Sequence, residues 1–328
     1  MHIPDGFLSA RVAAGYGLLA FAGVGAACYR LRVGRAGVTS ALLGVSAAFI
    51  FAAQLVNFPV AAGTSGHLVG GALAAALLGL PSAVVVMSSV LFVQCFVFGD
   101  GGVFSLGANV FNMALVSSLV GFCCYRLLCG ATPSPTRRVA AVAFASWCAT
   151  VAAAASCAEQ LALSDTARLS VVLPAMLGVH ALIGIGEAVI TATVLAAVLR
   201  FRPELLETPI NAGVSASRGR AVIGYGLGLS LAIASLLAPI ACDSPDGLSS
   251  VAQSLGFQSA ERVGLVAAPL AEYGVPGVGS GLLATVLAGG VGTLLLFGLC
   301  WLLALGLVPR SPRLGETSSA PVAVESSG

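Results

Sequence analysis

A histidine in second position, Met1-His2, can bring three nitrogens to one metal ion: the chain-terminal amine, the His2 amide once deprotonated, and the His2 ring. Small chelate rings join these donors, so they bind in one plane. Planar nitrogen ligation suits Ni(II) or Cu(II) and is wrong for a structural zinc or a magnesium site. The chemistry needs an unblocked amine at the first residue. His2 is too bulky for ordinary initiator-methionine removal. The opening residues also lack the basic region of a cleavable signal peptide, and Pro4-Asp5-Gly6 interrupts them. Met1 is therefore expected to stay and to carry a free amine.

Two further histidines follow. His67 sits in Gly63-Thr64-Ser65-Gly66-His67, a small-residue loop leading into a short apolar segment. Glycines let backbone approach a ligand closely. His67 could supply a fourth nitrogen, or could be an ordinary hydrogen-bonded histidine at a helix mouth. His180 lies within a long apolar run with Glu187 seven residues on, on the same helix face. Ionisable groups there are costly and are usually paired or functional. A buried polar pair is the expectation for them, with metal ligation the alternative. Asp5, Thr64, Ser65, Asp100, Asn109 and Asn112 are candidates to hold and polarise the histidines from behind. Asn109 and Asn112 could equally serve as interhelical amides.

These residues must be positioned by a membrane protein. Hydrophobic residues make up 58% of the chain and charged residues 9%, against about half and a quarter in soluble proteins. Strand-period alternation is absent, so the expected fold is all-α, a polytopic helix bundle. Apolar segments run approximately over 12–29, 38–56, 68–80, 83–98, 103–128, 139–157, 171–199, 221–240 and 281–308. The third is short, and Gly79-Leu80-Pro81 divides it from the fourth. Arginine placement decides how often the chain crosses, because cytoplasmic loops collect Arg. Arg30, Arg32, Arg35, Arg126, Arg137, Arg138, Arg200, Arg202, Arg218, Arg220, Arg310 and Arg313 share one side only if 68–98 crosses twice. Nine spans follow, with the N-terminus outside the cytoplasmic membrane of a bacterium. The expected division is 1–203, seven helices with the metal site; 204–220, a cytoplasmic linker; 221–309, a two-helix block around an outside loop; and 310–328, a disordered tail.

A net charge of +2 gives no reason to expect a nucleic-acid partner. Nine cysteines are scattered without metal-ligand spacing and read as small apolar packing residues. No HExxH, GxSxG, Walker A or dinucleotide fingerprint occurs. No catalytic residue or cofactor is therefore expected, and any energy for pumping would have to come from another chain.

Four segments in order resemble the membrane substrate-binding subunit of cobalt and nickel energy-coupling factor transporters, the CbiM/NikM family. They are Met1-His2-Ile3-Pro4-Asp5-Gly6-Phe7-Leu8; Gly63 to His67; Gly99-Asp100-Gly101-Gly102 through Asn109 to Asn112-Met113; and Gly178-Val179-His180 through Glu187. The resemblance implies a seven-helix subunit whose metal is held by Met1, His2 and His67. It implies two partners, a transmembrane coupling subunit and a cytoplasmic ATPase whose hydrolysis tilts the subunit to release metal inward. Ser244-Pro245-Asp246-Gly247-Leu248 resembles the loop of the family's two-helix accessory subunit, with Ser249 where the pattern has Glu. The fusion is more similar to nickel systems than to cobalt ones. Alternatives are a cobalt importer for cobalamin synthesis, an intramembrane metalloenzyme using His67, His180 and Glu187, and a stand-alone channel or structural membrane protein.

Overall fold

The computed structural model describes residues 1–34, 40–61, 63–203, 205, 216–262, 264 and 266–308. Most of the expected linker and the whole of 310–328, and so the disorder expected there, lie outside the described residues. The fold is all-α and polytopic. Among the described residues, seven helices are long and apolar enough to cross a membrane: α1 (Ala10–Val33), α4 (Leu80–Phe98), α5 (Leu106–Cys129), α6 (Pro135–Leu163), α7 (Leu169–Phe201), α8 (Ala216–Ala232, continued by tighter and wider turns to Ile240) and α10 (Gly281–Leu307). Apolar runs of this length take helical form because a bilayer offers no partners for free peptide groups.

Two of the nine expected apolar segments form shorter helices. α2 (Ser40–Gln54) has 15 residues and α3 (Gly71–Leu78) has 8. Eight residues rise about 12 Å, well short of the ~30 Å hydrocarbon thickness. The third segment is therefore not a full helical span. Irregular chain precedes α3, including a small antiparallel ladder of β1 (Phe58–Pro59) with β2 (Ser65–Gly66). Gly79, at φ 77°, turns the chain from α3 into α4. Pro81, in the first turn of α4, needs no helical N–H partner there.

Small residues bring the helices together. The buried face of α6 runs Ala141, Ala145, Ala149, Ala153 and Cys157 at one-turn spacing, and α6 packs on both α5 and α7. Trp147 Nε1 donates to the Ala181 carbonyl at 3.0 Å across the interface with α7, and Gly184 leaves room for its ring. α10 packs on α2, where Gly44 meets Phe297 and Gly292 meets Phe51. The last two long helices thus complete the same bundle as the first seven. α9 (Gly247–Leu255) lies in the loop that joins them.

The ends of the bundle differ. Arg30 and Arg32 end α1, Arg126 ends α5, Arg137 and Arg138 begin α6, and Arg200 ends α7. At the opposite end, the α6–α7 turn touches the N-terminal segment through Thr166 Oγ1, which donates to the Phe7 carbonyl at 2.5 Å.

Candidate metal centre

The first residues fold back into the bundle without helix, and the chain turns at Asp5-Gly6, with Gly6 at φ 97°. Met1, Ile3, Asp5 and Phe7 are 4, 0, 5 and 1% exposed, an every-second-residue pattern that buries one side of the segment. Asn109 pairs with Ile3 as a neighbouring strand would: its Oδ1 accepts from the Ile3 N–H at 2.8 Å and its Nδ2 donates to the Ile3 carbonyl at 3.1 Å. Asp5 accepts from the N–H groups of Val103, Phe104 and Ser105 at 3.1, 2.9 and 3.3 Å, where α5 begins. These donors are the free N–H groups of a helix start, which favour an anion. A side chain at Gly102 would overlap Asp5, so glycine is required for this close approach.

The Met1 amine comes to rest between two partners from distant parts of the chain. His67 Nε2 is 3.0 Å away and Asp246 Oδ2 is 2.5 Å away. His67 Nδ1 donates to the Leu68 carbonyl at 3.0 Å, which leaves the Nε2 lone pair facing the amine. The His2 and His67 rings stack at 5.6 Å between centroids, 19° from parallel. His2 Nε2 donates to Gln94 Oε1 at 3.1 Å, and His2 Nδ1 lies 3.1 Å from Asp100 Oδ1. Gln94 is set in turn by donating to Gln54 Oε1, and Gln54 by donating to the Val69 carbonyl, both at 2.8 Å. Tyr273 donates to Asp100 Oδ2 at 2.7 Å.

Electrostatics keep the rings neutral. Burial, then the amine and His2, push His67 down to about 3. Burial also lowers His2, against the opposing pull of Asp100. For Asp246 burial acts upward, but the Met1 ammonium and the Ser249 N–H outweigh it and hold the carboxyl well below the usual range. A neutral imidazole donates from one nitrogen only. Both His2 ring nitrogens face acceptors, Gln94 Oε1 and Asp100 Oδ1, so one lone pair is left against an oxygen, an electron-rich arrangement suited to a cation. A cavity of about 580 Å³ covers these groups, and its lining includes Asp100, Asp243, Asp246, Glu261 and Glu272 with Arg262.

The structure brings Met1, His2, His67 and Asp100 together. The other expected supports act elsewhere. Asp5 and Asn109 hold the N-terminal segment and its seat on α5, and neither makes a hydrogen bond to a histidine. Asn112 joins Gln160 and Ser156 in an amide network between α5 and α6, at 2.7–2.8 Å. Thr64 Oγ1 meets Ser250 Oγ at 2.7 Å, and Ser65 donates to the Ser244 carbonyl at 2.7 Å, so both bind the loop of the last block. His180 and Glu187 share a buried face of α7 as expected, yet they do not pair with each other. His180 Nδ1 donates to the Met176 carbonyl at 2.9 Å, and its ring lies where Gly247 has no side chain. Glu187 instead accepts from the N–H groups of Val69 and Gly70. No three His, Cys, Asp or Glu side chains converge as a metal cluster among the described residues. The intramembrane metalloenzyme constellation of His67, His180 and Glu187 is therefore not assembled.

Asp246, Gln54, Gln94 and Tyr273 carry the site without having been singled out by the sequence. For Asp246 a signal was available. Pro-Asp-Gly occurs at 4–6 and again at 245–247, and each aspartate accepts N–H groups at a helix start, Asp246 from Ser249 at 2.8 Å. The glutamines lie in apolar helices with nothing local to mark them.

Comparison with known proteins agrees in extent with this architecture. The model of the cobalt uptake substrate-specific transmembrane region, CbiM, matches residues 2–205, and a PDGLE domain matches 220–308. A protein of Archaeoglobus fulgidus, bearing the provisional name fused nickel transport protein NikMN, is 37% identical over 301 residues, 91% of this chain and 96% of that one. The fused nickel transport protein NikMN of Rhodobacter capsulatus is 36% identical over 225 residues, 63% of this chain and 64% of that one. The crystal structure of a truncated transition metal transporter superposes with a TM-score of 0.55 at 31% identity, covering 61% of this chain and 99% of that one. The chain is a multi-pass membrane protein that belongs to the CbiM family of cobalt uptake substrate-specific transmembrane regions, with a PDGLE domain following in the same polypeptide.

Proposed function

We propose that this chain is the substrate-binding membrane component of an ATP-driven importer, and that it captures Ni(II) at the extracytoplasmic face through the Met1 amine, the His2 amide and ring, and His67. The observation that carries this reading is the 3.0 Å between the Met1 amine and His67 Nε2. Two nitrogens each about 2.0 Å from one ion and at a right angle lie about 2.8 Å apart. The spacing is that of neighbouring ligands. His2 Nδ1, the nitrogen able to close a six-membered ring with its own amide, faces Asp100 across the same small volume. A plane of nitrogens favours Ni(II) over ions that demand oxygen or tetrahedral surroundings.

A coordinated amine carries no ammonium charge. Metal binding therefore ends the ion pair with Asp246, so loading and the docking of the last block act against each other. On this reading residues 1–203 form the binding subunit and 221–309 an accessory block that covers its mouth. The energy comes from partners outside this chain, a membrane coupling subunit and an ATPase. Co(II) is the rival cargo, because the matched family is described by cobalt uptake.

Titration of the purified full chain with Ni(II) and with Co(II), read by visible absorption, tests the site and ranks the metals. A yellow, planar Ni(II) band that disappears when the Met1 amine is acetylated is the expected result. An unchanged band in the acetylated chain would remove the terminal chelate.

A further inference from the structure

One peptide unit links the proposed metal ligand to a buried carboxylate. The Leu68 carbonyl accepts His67 Nδ1–H at 3.0 Å, and the Val69 N–H of that same peptide donates to Glu187 Oε2 at 2.6 Å. The second carboxylate oxygen, Oε1, accepts the next N–H, that of Gly70, at 3.0 Å. The Val69 carbonyl takes the Gln54 amide that sets Gln94 against His2. The two supports leave Val69 on opposite sides: its N–H, fixed by Glu187, lies on the peptide that holds His67, and its carbonyl lies on the Gln54 side.

The local chain cannot supply this anchor itself. Gly70 precedes α3 with φ 88° and has no side chain to offer as a cap. A Cβ there would lie 2.9 Å from Ile50 Cγ2, so a residue bearing a capping group does not fit. The acceptor has to come from another helix, and Glu187, 1% exposed, reaches in from the middle of α7. A carboxylate buried in an apolar helix is costly enough to require a specific partner. Metal-binding histidines commonly donate their second N–H to a carboxylate or a carbonyl, which fixes the tautomer and strengthens the donor. Here the two stand in series, and hydrogen bonds in a chain polarise one another.

We infer that Glu187 is the positioning residue of the metal site, acting on His67 through the Leu68–Val69 peptide to fix its tautomer and aim Nε2 at the Met1 amine. This rests on the reading of His67 as a ligand. Its effect belongs to that histidine, which separates it from general support of the fold.

The test is a double-mutant cycle on the full chain in detergent, with Ni(II) affinity by chelator competition and the visible spectrum as readouts. Glu187→Gln keeps the shape but turns an NH2 toward one of the two N–H donors. It is expected to weaken Ni(II) binding roughly 10- to 100-fold and to shift the absorption band at saturation. In a His67→Ala background the same change is expected to cost less than about 3-fold, because the ligand it aims is gone. Equal losses in the two backgrounds, or an unchanged affinity and band in Glu187→Gln alone, would overturn the inference. Should Glu187→Gln aggregate, Glu187→Asp keeps the charge and runs through the same cycle with the same criterion. If His67→Ala by itself binds Ni(II) with wild-type affinity and spectrum, the ligand reading fails instead, and that outcome is distinct.

Discussion

The Met1 amine and Asp246 are 245 positions apart in sequence and 2.5 Å apart in space. The contact joins the start of the chain to the loop of the last block, at the spot where the proposed metal ligands meet. It gives that loop a chemical interest in whether the amine is charged.

Replacing Asp246 with Asn should separate the two effects of this ion pair. Without metal, the variant loses a charge-assisted hydrogen bond worth about 2 kcal/mol, and its unfolding midpoint should drop by a few degrees. With Ni(II), the amine no longer has to leave a carboxylate, so affinity should rise roughly tenfold. Thermal unfolding with and without saturating Ni(II) measures both, and a weaker Ni(II) affinity in the variant would show that Asp246 assists the metal.

Acid should destabilise the chain through His67 before it does so through Asp246. Burial holds the folded His67 near 3, below the ordinary histidine value of 6.5. Its stabilising contribution is thus intact above about 6.5 and is lost as pH falls from there toward 3. Asp246 is depressed from 3.8, so its contribution survives until pH falls below that value. Between pH 7 and 5 the unfolding midpoint of the metal-free chain should fall, and His67→Ala should flatten that slope. A slope unchanged in the variant would assign the sensitivity to another group.

Gly102→Ala should disturb metal binding from a position that bears no ligand. Its new methyl collides with the Asp5 side chain and backbone N, the groups that seat the terminal segment on α5. Ni(II) affinity should fall by about tenfold or more, with secondary structure unchanged by circular dichroism. Gly63→Ala makes a control for handling, since nothing lies within 4 Å of its added carbon, although its φ of +74° strains any side chain. Equal affinity in wild type and Gly102→Ala would mean that the segment adapts.

Removal of the Tyr273 hydroxyl examines the other contact of the last block. Tyr273→Phe frees one oxygen of Asp100, which lies beside His2 Nδ1. Ni(II) dissociation, followed after mixing with excess chelator, should change by about 3- to 10-fold in rate, while the neighbouring stack of Tyr273 on Phe98 at 4.7 Å keeps the ring in place. An unaltered rate would show that Asp100 needs no such support.

Much of this was readable from residue order. Apolar run lengths gave the nine apolar segments, seven of which form helices long enough to cross a membrane among the described residues, whereas the arginine positions asked of 68–80 a crossing that the eight residues of α3 do not make. Met1, His2 and His67 were nameable because a chain-terminal amine and imidazole rings are nitrogen donors wherever they lie. The third segment misled for a physical reason. Its composition is as apolar as its neighbours', but its helix starts only at Gly71, where Glu187 supplies acceptors that sequence spacing does not reveal. Asp5 and Asn109 were expected beside the histidines and instead hold backbone, because an acidic or amide group gives no local sign of which distant N–H it will meet. Gln54 and Gln94 were silent for the same reason.

The alternation of Met1, Ile3, Asp5 and Phe7 toward the interior has a consequence for how this arm can vary. A single residue inserted or deleted between Ile3 and Asp5 would reverse which of the leading side chains face inward while Asp5 keeps its seat on α5. A pair inserted would restore the alternation yet carry the leading nitrogen about 7 Å past its partners. Length is therefore a fixed ruler here, and changes in metal preference have to come by exchange of the side chains around the arm.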